Sequence, residues 1–265
     1  MDKNLIFDLG MHSGDDTEFY LKKGFRVIAV DADPELCNQA RYRFRAQIAS
    51  GSLIIVNNAL AEKPGRVTLY KNTKFSEWNT LKPDWVERNL RYGASSVPIE
   101  VEAIVLSSLF DQFGVPYYLK VDLEGMDLTI VENMAVSSER PRYVSIESNK
   151  VRFPELRHEF EVLESLGYKS FKLVAQHRIV SQRPPKPALE GPYVAHSFKP
   201  GSSGLFGEEV PGKWLDAPTA IAAYRPVFLR YVLTDPLVRS RYSRAVLMRM
   251  GFGAAWYDTH AKLSI

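Results

Sequence analysis

Leu5-Ile6-Phe7-Asp8-Leu9-Gly10-Met11-His12-Ser13-Gly14-Asp15-Asp16-Thr17 is a short apolar run that ends in an acid and enters a glycine-punctuated turn. A run of this kind reads as a buried strand, and the turn opens a helix. A second apolar strand, Val27-Ile28-Ala29-Val30, ends in another acid, Asp31. Strand, glycine turn, helix, strand and acid, in that order, form the arrangement that holds an adenosine-containing cofactor. The glycines let the backbone turn tightly and approach a ligand closely. The acid after the second strand accepts hydrogen bonds from the ribose hydroxyls.

The spacing narrows the cofactor. A dinucleotide turn needs Gly-x-Gly-x-x-Gly, so that a pyrophosphate can sit on the helix N-terminus. Here Gly10 and Gly14 are three residues apart, and His12 stands where the middle glycine belongs. With Asp8 just before it, the turn suits a ligand that carries a cation, such as the sulfonium and amino group of S-adenosylmethionine. A plain strand-to-helix turn would also carry these glycines, and Asp31 at its expected place favours the ligand reading.

The chain has 265 residues, enough for one full core with an elaboration, and an ordinary soluble composition. No apolar run approaches the roughly 20 residues of a membrane span. The start, Met1-Asp2-Lys3-Asn4, carries no signal-peptide pattern, so a cytoplasmic enzyme is expected. Cys37 is the only cysteine, which excludes an internal disulfide or a thiolate metal cluster and reads as a small core residue. The net charge of +3 is too small to argue for nucleic acid. It is unevenly spread: residues 181–251 hold ten Lys/Arg against five Asp/Glu. That excess favours an anionic partner, a phosphorylated or carboxylated acceptor or a membrane surface, and also fits a solvated basic face.

Strands and helices alternate through the first two thirds, the mark of a parallel α/β sheet. Strands are expected near 4–8, 25–30, 53–57, 117–121, 143–146 and 168–174, with extra ones at 67–71 and 97–105. Helices are expected from Ser13 to Lys23 (capped by Ser13 or Asp15 and ended by Gly24), from Pro34 to Ser50, over 83–91, over 109–113 (capped by Ser107 or Ser108) and over 154–166. Residues 75–80 read as a loop. Residues 181–212 are rich in Pro, Gly and Ser, and helices over 219–233 and 237–250 follow, before a last strand near 254–261. The domain reading is a core over 1–180, an inserted basic substrate or lid lobe over 181–251, and a last strand over 252–265 returning to the core.

This succession resembles the class I S-adenosylmethionine-dependent methyltransferases and, within them, the FkbM family. The residues that carry the resemblance are Phe7-Asp8-Leu9-Gly10-Met11-His12-Ser13-Gly14, Val30-Asp31-Ala32, Asn58-Ala59-Leu60 and Leu119-Lys120-Val121-Asp122-Leu123-Glu124-Gly125. The last block matches the family's Lys-x-Asp-x-Glu-Gly signature. The resemblance covers about residues 4–175 and implies a Rossmann-like α/β sheet of seven strands. That sheet is mostly parallel, with a last antiparallel strand and an insertion before it. It implies that Asp8, Gly10 and Gly14 cradle the methionine end of S-adenosylmethionine, with His12 and Thr17 also on the cofactor side. Asp31 would hold the ribose, Ala32 would lie against the adenine, and Asn58 and Ala59 would border it. Asp122 would lie next to the transferred methyl. The family usually has asparagine where this chain has His12, and either side chain can donate a hydrogen bond.

Methyl transfer from a sulfonium is an in-line displacement that needs alignment and, for a hydroxyl acceptor, removal of a proton. The candidate bases at strand ends are Asp122, Glu124, Glu147 and His12. Asp122 would serve equally by binding the cofactor's amino group, and Glu124 by capping the next helix. Asp122, Glu147 and Asn149 are oxygen ligands at adjacent strand ends that could hold Mg²⁺, although the spacing does not demand a metal. The other histidines, at 158, 177, 196 and 260, form no His-x-x-x-His pair that would suggest zinc. His196 reads as a lid base or a packing histidine, and His260 as a core-edge residue. Leu205-Phe206-Gly207 reads as a hinged lid or a surface loop. Residues 239–249 read as a helix packed on the core or lying on a membrane surface.

The expected activity is O-methylation of a hydroxyl on a saccharide, glycolipid or secondary metabolite. An amine acceptor needs little from a base, so N-methylation fits the same residues. Two other classes stay open: a cofactor-binding module that serves as an interaction protein, and a nicotinamide oxidoreductase, which His12 in the turn disfavours.

Overall fold

The computed structural model describes residues 1–149, 152–234 and 256–264, with the backbone alone for 230–234. In chain order, β1 (Asp2–Leu9), α1 (Asp15–Lys22), β2 (Arg26–Val30), α2 (Pro34–Arg43), α3 (Arg45–Ala49) and β3 (Leu53–Val56) alternate. A side module follows, made of β4 (Ala59–Leu60), β5 (Gly65–Asn72), α4 (Pro83–Arg91) and β6 (Ser96–Ile104). The alternation resumes with α5 (Leu106–Phe113), β7 (Pro116–Val121), α6 (Asp127–Glu132), β8 (Tyr143–Glu147), α7 (Phe153–Ser165) and β9 (Tyr168–Ala175). Then come α8 (Ala217–Thr234) and β10 (Tyr257–Leu263). The expected helix over 237–250, with its arginine stripe over 239–249, lies outside the described residues.

Seven strands form one sheet in the order β3-β2-β1-β7-β8-β10-β9. Every pairing is parallel except those of β10, which runs antiparallel to both neighbours. This is the α/β, Rossmann-like sheet the sequence implied. Strand order reverses at β1, where the chain first moves outward through β2 and β3 and then returns to add β7. The loops at the carboxyl ends of β1 and β7 therefore diverge, and they leave a crevice there.

The strand periodicity assigns the two faces. Leu5, Phe7 and Leu9 of β1 join Leu109, Phe110, Ile130, Phe160 and Tyr224 from α5 to α8 in one core. Ile6, with Tyr118 and Tyr143, faces Phe19, Tyr20, Cys37 and Phe44 on the opposite side. There the covering layer is completed by Phe198, Leu205, Phe206 and Val210 from the long connection after β9. Phe206 is fully buried, stacked on Tyr118 at 5.1 Å and edge-on to Tyr20 at 5.3 Å. Leu205 is 3 % exposed. Leu205-Phe206-Gly207 is thus neither a hinged lid nor a surface loop: an aromatic side chain that fills the core stabilises by several kcal/mol and cannot swing out freely. Leu215 also pairs with Phe171 and covers the outer edge of β9.

Several local expectations change. The extra strands, β5 and β6, pair antiparallel with each other and, with β4, make a separate three-stranded sheet. The helix expected to run from Pro34 to Ser50 breaks at Phe44, whose ring turns inward onto Gly14. Gly14, in the left-handed region at φ 78°, occupies the N-cap of α1, and neither Ser13 nor Asp15 caps it. Helix α5 begins at Leu106, so Ser107 and Ser108 lie inside it and do not cap it. Residues 76–78 form a short 3-10 helix inside the expected loop.

Candidate active site

A cavity of about 1160 Å³ opens at the carboxyl ends of β1, β2, β7 and β8. Small-molecule sites are usually about 300–1,000 Å³, so this one has room for a cofactor and an acceptor together. Its wall carries Gly10, His12, Asp31, Ala32, Asn58, Ala59, Asp122, Glu124 and Glu147, nearly the whole set singled out from sequence. Acidic side chains outnumber basic ones along it, the cations being Lys120, Arg88 and Arg91.

Asp31 is pre-set by the backbone around it. Its two carboxylate oxygens accept from the backbone N–H of His12 and of Asp33, each at 2.8 Å. Burial holds its pKa above the usual carboxylate range, against those two donors. His12 reaches its position through a left-handed backbone, φ 50°, and its Nε2 is hydrogen-bonded to Ser76 Oγ at 2.8 Å. Asparagine, histidine and aspartate are the non-glycine residues that tolerate this conformation best. Beyond Asp31, Ala32, Leu36, Ala59 and Leu60 give the cavity an apolar end. Asn57 closes the loop behind it by donating to the carbonyl of Asp31 at 3.1 Å. Asn58 donates to the carbonyl of Glu102 and so ties this end to β6.

Asp8 is placed differently from the sequence expectation. In the parallel register Asp8 lies opposite Lys120, and the lysine donates to its carboxylate at 3.0 Å and to the carbonyl of Gly10 at 3.1 Å. Thr17 donates to the other carboxylate oxygen at 2.6 Å. Asp8 is fully buried and absent from the cavity wall, as are Gly14 and Thr17. Their place is behind the turn, where they hold it. Lys120 also lies 3.6 Å from both Asp16 and Asp122. Burial alone would lower the lysine's pKa, but Asp8, Asp122 and Asp16 outweigh it and keep the ammonium charged. Asp16 is pushed up to about 6 by burial, although Lys120 opposes this, and it accepts from the backbone N–H of Ser203. Gly10 permits the close approach of β1 and β7: a Cβ there would lie 1.8 Å from the carbonyl oxygen of Asp122.

The carboxylates of Asp122, Glu124 and Glu147 converge, with oxygens within 4.8 Å of one another. Burial raises the pKa of Asp122, against Lys120. Burial and then the negative charges of Glu147 and Asp122 push Glu124 well above the usual range. Glu124 does not cap the next helix. No side chain caps that helix; Asp127, its first residue, accepts from the N–H groups of Leu123 and Gly125 and so closes the loop before it. Glu124, left-handed at φ 46°, instead turns its carboxylate into the cavity, 3.7 Å from Arg88. Asn149, expected beside Asp122 and Glu147, donates to Glu155 of α7. The carboxylate cluster therefore includes Glu124 where the sequence suggested Asn149.

A wall that the sequence did not single out stands opposite. Ser76, Trp78, Asn79, Thr80, Arg91 and Tyr92, all from the side module, line the cavity. The signal available in the sequence was the aromatic residues Phe75 and Trp78 just after β5 and Tyr92 just after α4. From residues 181–234 only Pro200, Gly201 and Ser203 line it among the described residues. His177 and Trp256 border its far rim. His196 packs against Phe19 and Phe198 at 4.9 and 4.8 Å, a packing role. His260 is 1 % exposed inside the core, where burial drives its pKa down to about 3. His158 lies on the surface near Glu132 and Glu161.

Solved methyltransferase structures resemble this chain. A precorrin-6y C5,15-methyltransferase from Geobacter metallireducens is 10 % identical, with a TM-score of 0.41, over 100 % of this chain and 82 % of that one. An S-adenosylmethionine-dependent methyltransferase from Thiobacillus denitrificans, in complex with S-adenosyl-L-homocysteine, is 11 % identical, with a TM-score of 0.38, over 98 % of this chain and 85 % of that one. A Geobacter sulfurreducens methyltransferase, also with S-adenosyl-L-homocysteine, is 12 % identical, with a TM-score of 0.39, over 100 % and 86 %. No curated protein sequence matches the chain. No helix among the described residues is long and apolar enough to cross a membrane. The methyltransferase FkbM domain model matches residues 8–170, more than half of the sequence, and the chain belongs to the FkbM family of S-adenosylmethionine-dependent methyltransferases.

Proposed function

We propose that this protein transfers the methyl group of S-adenosylmethionine to a hydroxyl of a small acceptor, a saccharide, glycolipid or secondary metabolite. The observation that carries the reading is one cavity that joins a pre-set carboxylate, Asp31, to the carboxylate cluster Asp122, Glu124 and Glu147. The donor set fits the cofactor: an acidic wall suits a sulfonium and an ammonium, and the apolar end at Ala32, Leu36 and Ala59 suits an adenine. The same acidity favours an acceptor that is neutral or cationic at its reacting end. The anionic acceptor suggested by the basic 181–251 region gains no support from the cavity wall.

When bound, S-adenosylmethionine supplies an electrophilic methyl on its sulfonium. Asp31 would accept from the ribose hydroxyls, with its free lone pairs already aimed by the N–H groups of His12 and Asp33. Lys120 holds the Gly10 carbonyl and lies beside Asp122, which keeps the turn and the strand end in register. Asp122 would face the cofactor's amino group. Glu124, whose proton affinity is raised by burial and by Glu147 and Asp122, would take the acceptor's hydroxyl proton on a carboxylate oxygen.

The reading is tested by isothermal titration with S-adenosylmethionine on the wild type and Asp31→Ala. Two charge-assisted hydrogen bonds of about 1.5–3 kcal/mol each are removed, so affinity should fall by at least about 100-fold. Equal affinity in the variant would remove Asp31 from the cofactor site, and no binding to the wild type would overturn the cofactor reading. Release of S-adenosylhomocysteine against a pool of hydroxylated saccharides then tests the acceptor class.

A further inference from the structure

The side module hangs on the residues to which the proposed function gives cofactor and chemistry. Ser76 is bonded to the ring of His12 at 2.8 Å. Asn79 donates to Asp33 at 3.1 Å, two residues beyond Asp31. Thr80 donates to the carbonyl of Glu124 at 2.7 Å. Inside the module the parts are hydrogen-bonded to one another. Asn72 accepts from the N–H groups of Lys74 and Phe75, Asn79 accepts from the N–H of Asn72, and Asn89 of α4 donates to the carbonyl of Trp78 at 3.4 Å. Trp78 and Tyr92, edge to face at 6.4 Å, stand on the cavity side of that unit.

Two of these attachments, at His12 and at Glu124, hold a residue in the left-handed region, and the one at His12 also reaches Asp31. A non-glycine residue in the left-handed region costs of order 1–3 kcal/mol and persists only where its surroundings over-determine it. His12 is held by two contacts, its N–H to Asp31 and its ring to Ser76. A ligand that engages Asp31 immobilises the carboxylate that accepts from the His12 N–H, and so restricts the conformation that presents the ring to Ser76.

The geometry points to residues 75–92 as the acceptor-recognition wall, and to His12 as the positioning residue that fixes this wall when the cofactor site fills. This inference rests on the proposed cofactor at Asp31. It assigns acceptor recognition to the segment between β5 and β6, with the ring faces of Trp78 and Tyr92 toward the apolar face of the acceptor. Among the described residues, the segment after β9 chiefly covers the sheet, through Phe198, Leu205, Phe206 and Val210, and gives the cavity only Pro200, Gly201 and Ser203. The wall is set by the cofactor, so cofactor binds before acceptor.

Hydrogen exchange read by mass spectrometry on the full chain, with and without saturating S-adenosylhomocysteine, tests it. The proteins are the wild type, His12→Asn, Ser76→Ala and the double variant, with ligand affinity measured for each by titration. Asparagine tolerates the left-handed turn but is too short to reach Ser76. In the wild type, ligand should slow exchange over 75–92 by about fivefold, the scale of one neutral hydrogen bond. Each single variant should remove most of that slowing at full ligand occupancy, and the double variant should remove no more. Bound ligand without slowing in the wild type, or slowing retained in His12→Asn, overturns the inference and leaves the proposed function standing. Failure of the wild type to bind the ligand overturns both.

Discussion

Replacing Lys120 with methionine keeps most of the volume of the side chain and removes its charge. In the native protein this ammonium is 4 % exposed and lies 3.0 Å from Asp8, which is fully buried, and 3.6 Å from Asp16, which is 6 % exposed. Two unit charges about 4 Å apart interact by about 4 kcal/mol at an effective dielectric near 20. Breaking a buried pair by removing one partner typically costs about 3–5 kcal/mol, because the other charge is left behind. Total stabilities of domains are about 5–15 kcal/mol, so Lys120→Met should lose a large share at pH 7. The sign of the pH dependence follows. Asp16 is already raised to about 6 in the wild type by burial, and without Lys120 it rises further. A raised carboxyl favours the folded state only while protonated, so its contribution is complete below about pH 4, the unfolded value, and is lost as pH rises through the folded one. The deficit of Lys120→Met should therefore shrink between pH 7 and pH 5. Urea unfolding at both pH values, with Asp8→Asn and the double variant, measures this. The double variant should recover at least about 2 kcal/mol of the single lysine loss, because no stranded carboxylate remains at position 8. A Lys120→Met loss under about 1 kcal/mol, unchanged between pH 7 and pH 5, would refute the argument that this lysine neutralises the buried acids.

Glu124→Gln should lower the rate of methyl transfer by about 10²–10⁴-fold, the usual contribution of a positioned base. In the wild type that rate should climb as pH rises through the raised pKa of the carboxylate cluster, since the base acts deprotonated, and the variant should lose this limb. A variant with wild-type rate and pH profile would remove Glu124 from the proton path. Phe206→Ala should destabilise the protein by about 3–5 kcal/mol, because the ring is fully buried between Tyr20, Phe25 and Tyr118. A change below about 1 kcal/mol in chemical denaturation would mean that this segment is not part of the core.

Much of the fold could be read from local pattern. The apolar runs at β1, β2, β7 and β8 are short and end in acids, which marks buried parallel strands with their functional residues at the carboxyl ends. The turn from Gly10 to Gly14 and the acid at Asp31 lie within one strand–helix–strand unit, so the chemistry of that unit is written in consecutive residues. Helix α4 was read at its observed bounds, because Pro83 starts it and its charges and apolar residues repeat with the helical period. The strand-end carboxylates Asp122, Glu124 and Glu147 were found for the same reason: the fold class says where strands end, and the sequence says which of them end in acids.

What local pattern could not supply was the partner of each group. Asp8 was expected to face the cofactor, but its neighbour is Lys120, 112 residues away, and only the β1–β7 register brings the two together. Glu124 reads as a cap for α6, but its left-handed backbone turns the carboxylate into the cavity and no side chain caps the helix. The Pro- and Gly-rich composition of 181–212 suggested a lid, because composition records the absence of regular structure and says nothing about what an irregular segment covers. The hairpin β5–β6 and its helix looked like an elaboration in sequence, and became a cavity wall once His12, Asp33 and Glu124 anchored it. Strand periods, turn glycines and helix starts are set by neighbours in sequence and can be read from it. The neutralisation of a buried charge, the cover of an apolar sheet face and the far wall of a cavity are set by contacts between distant segments, and they exist only once the chain is packed.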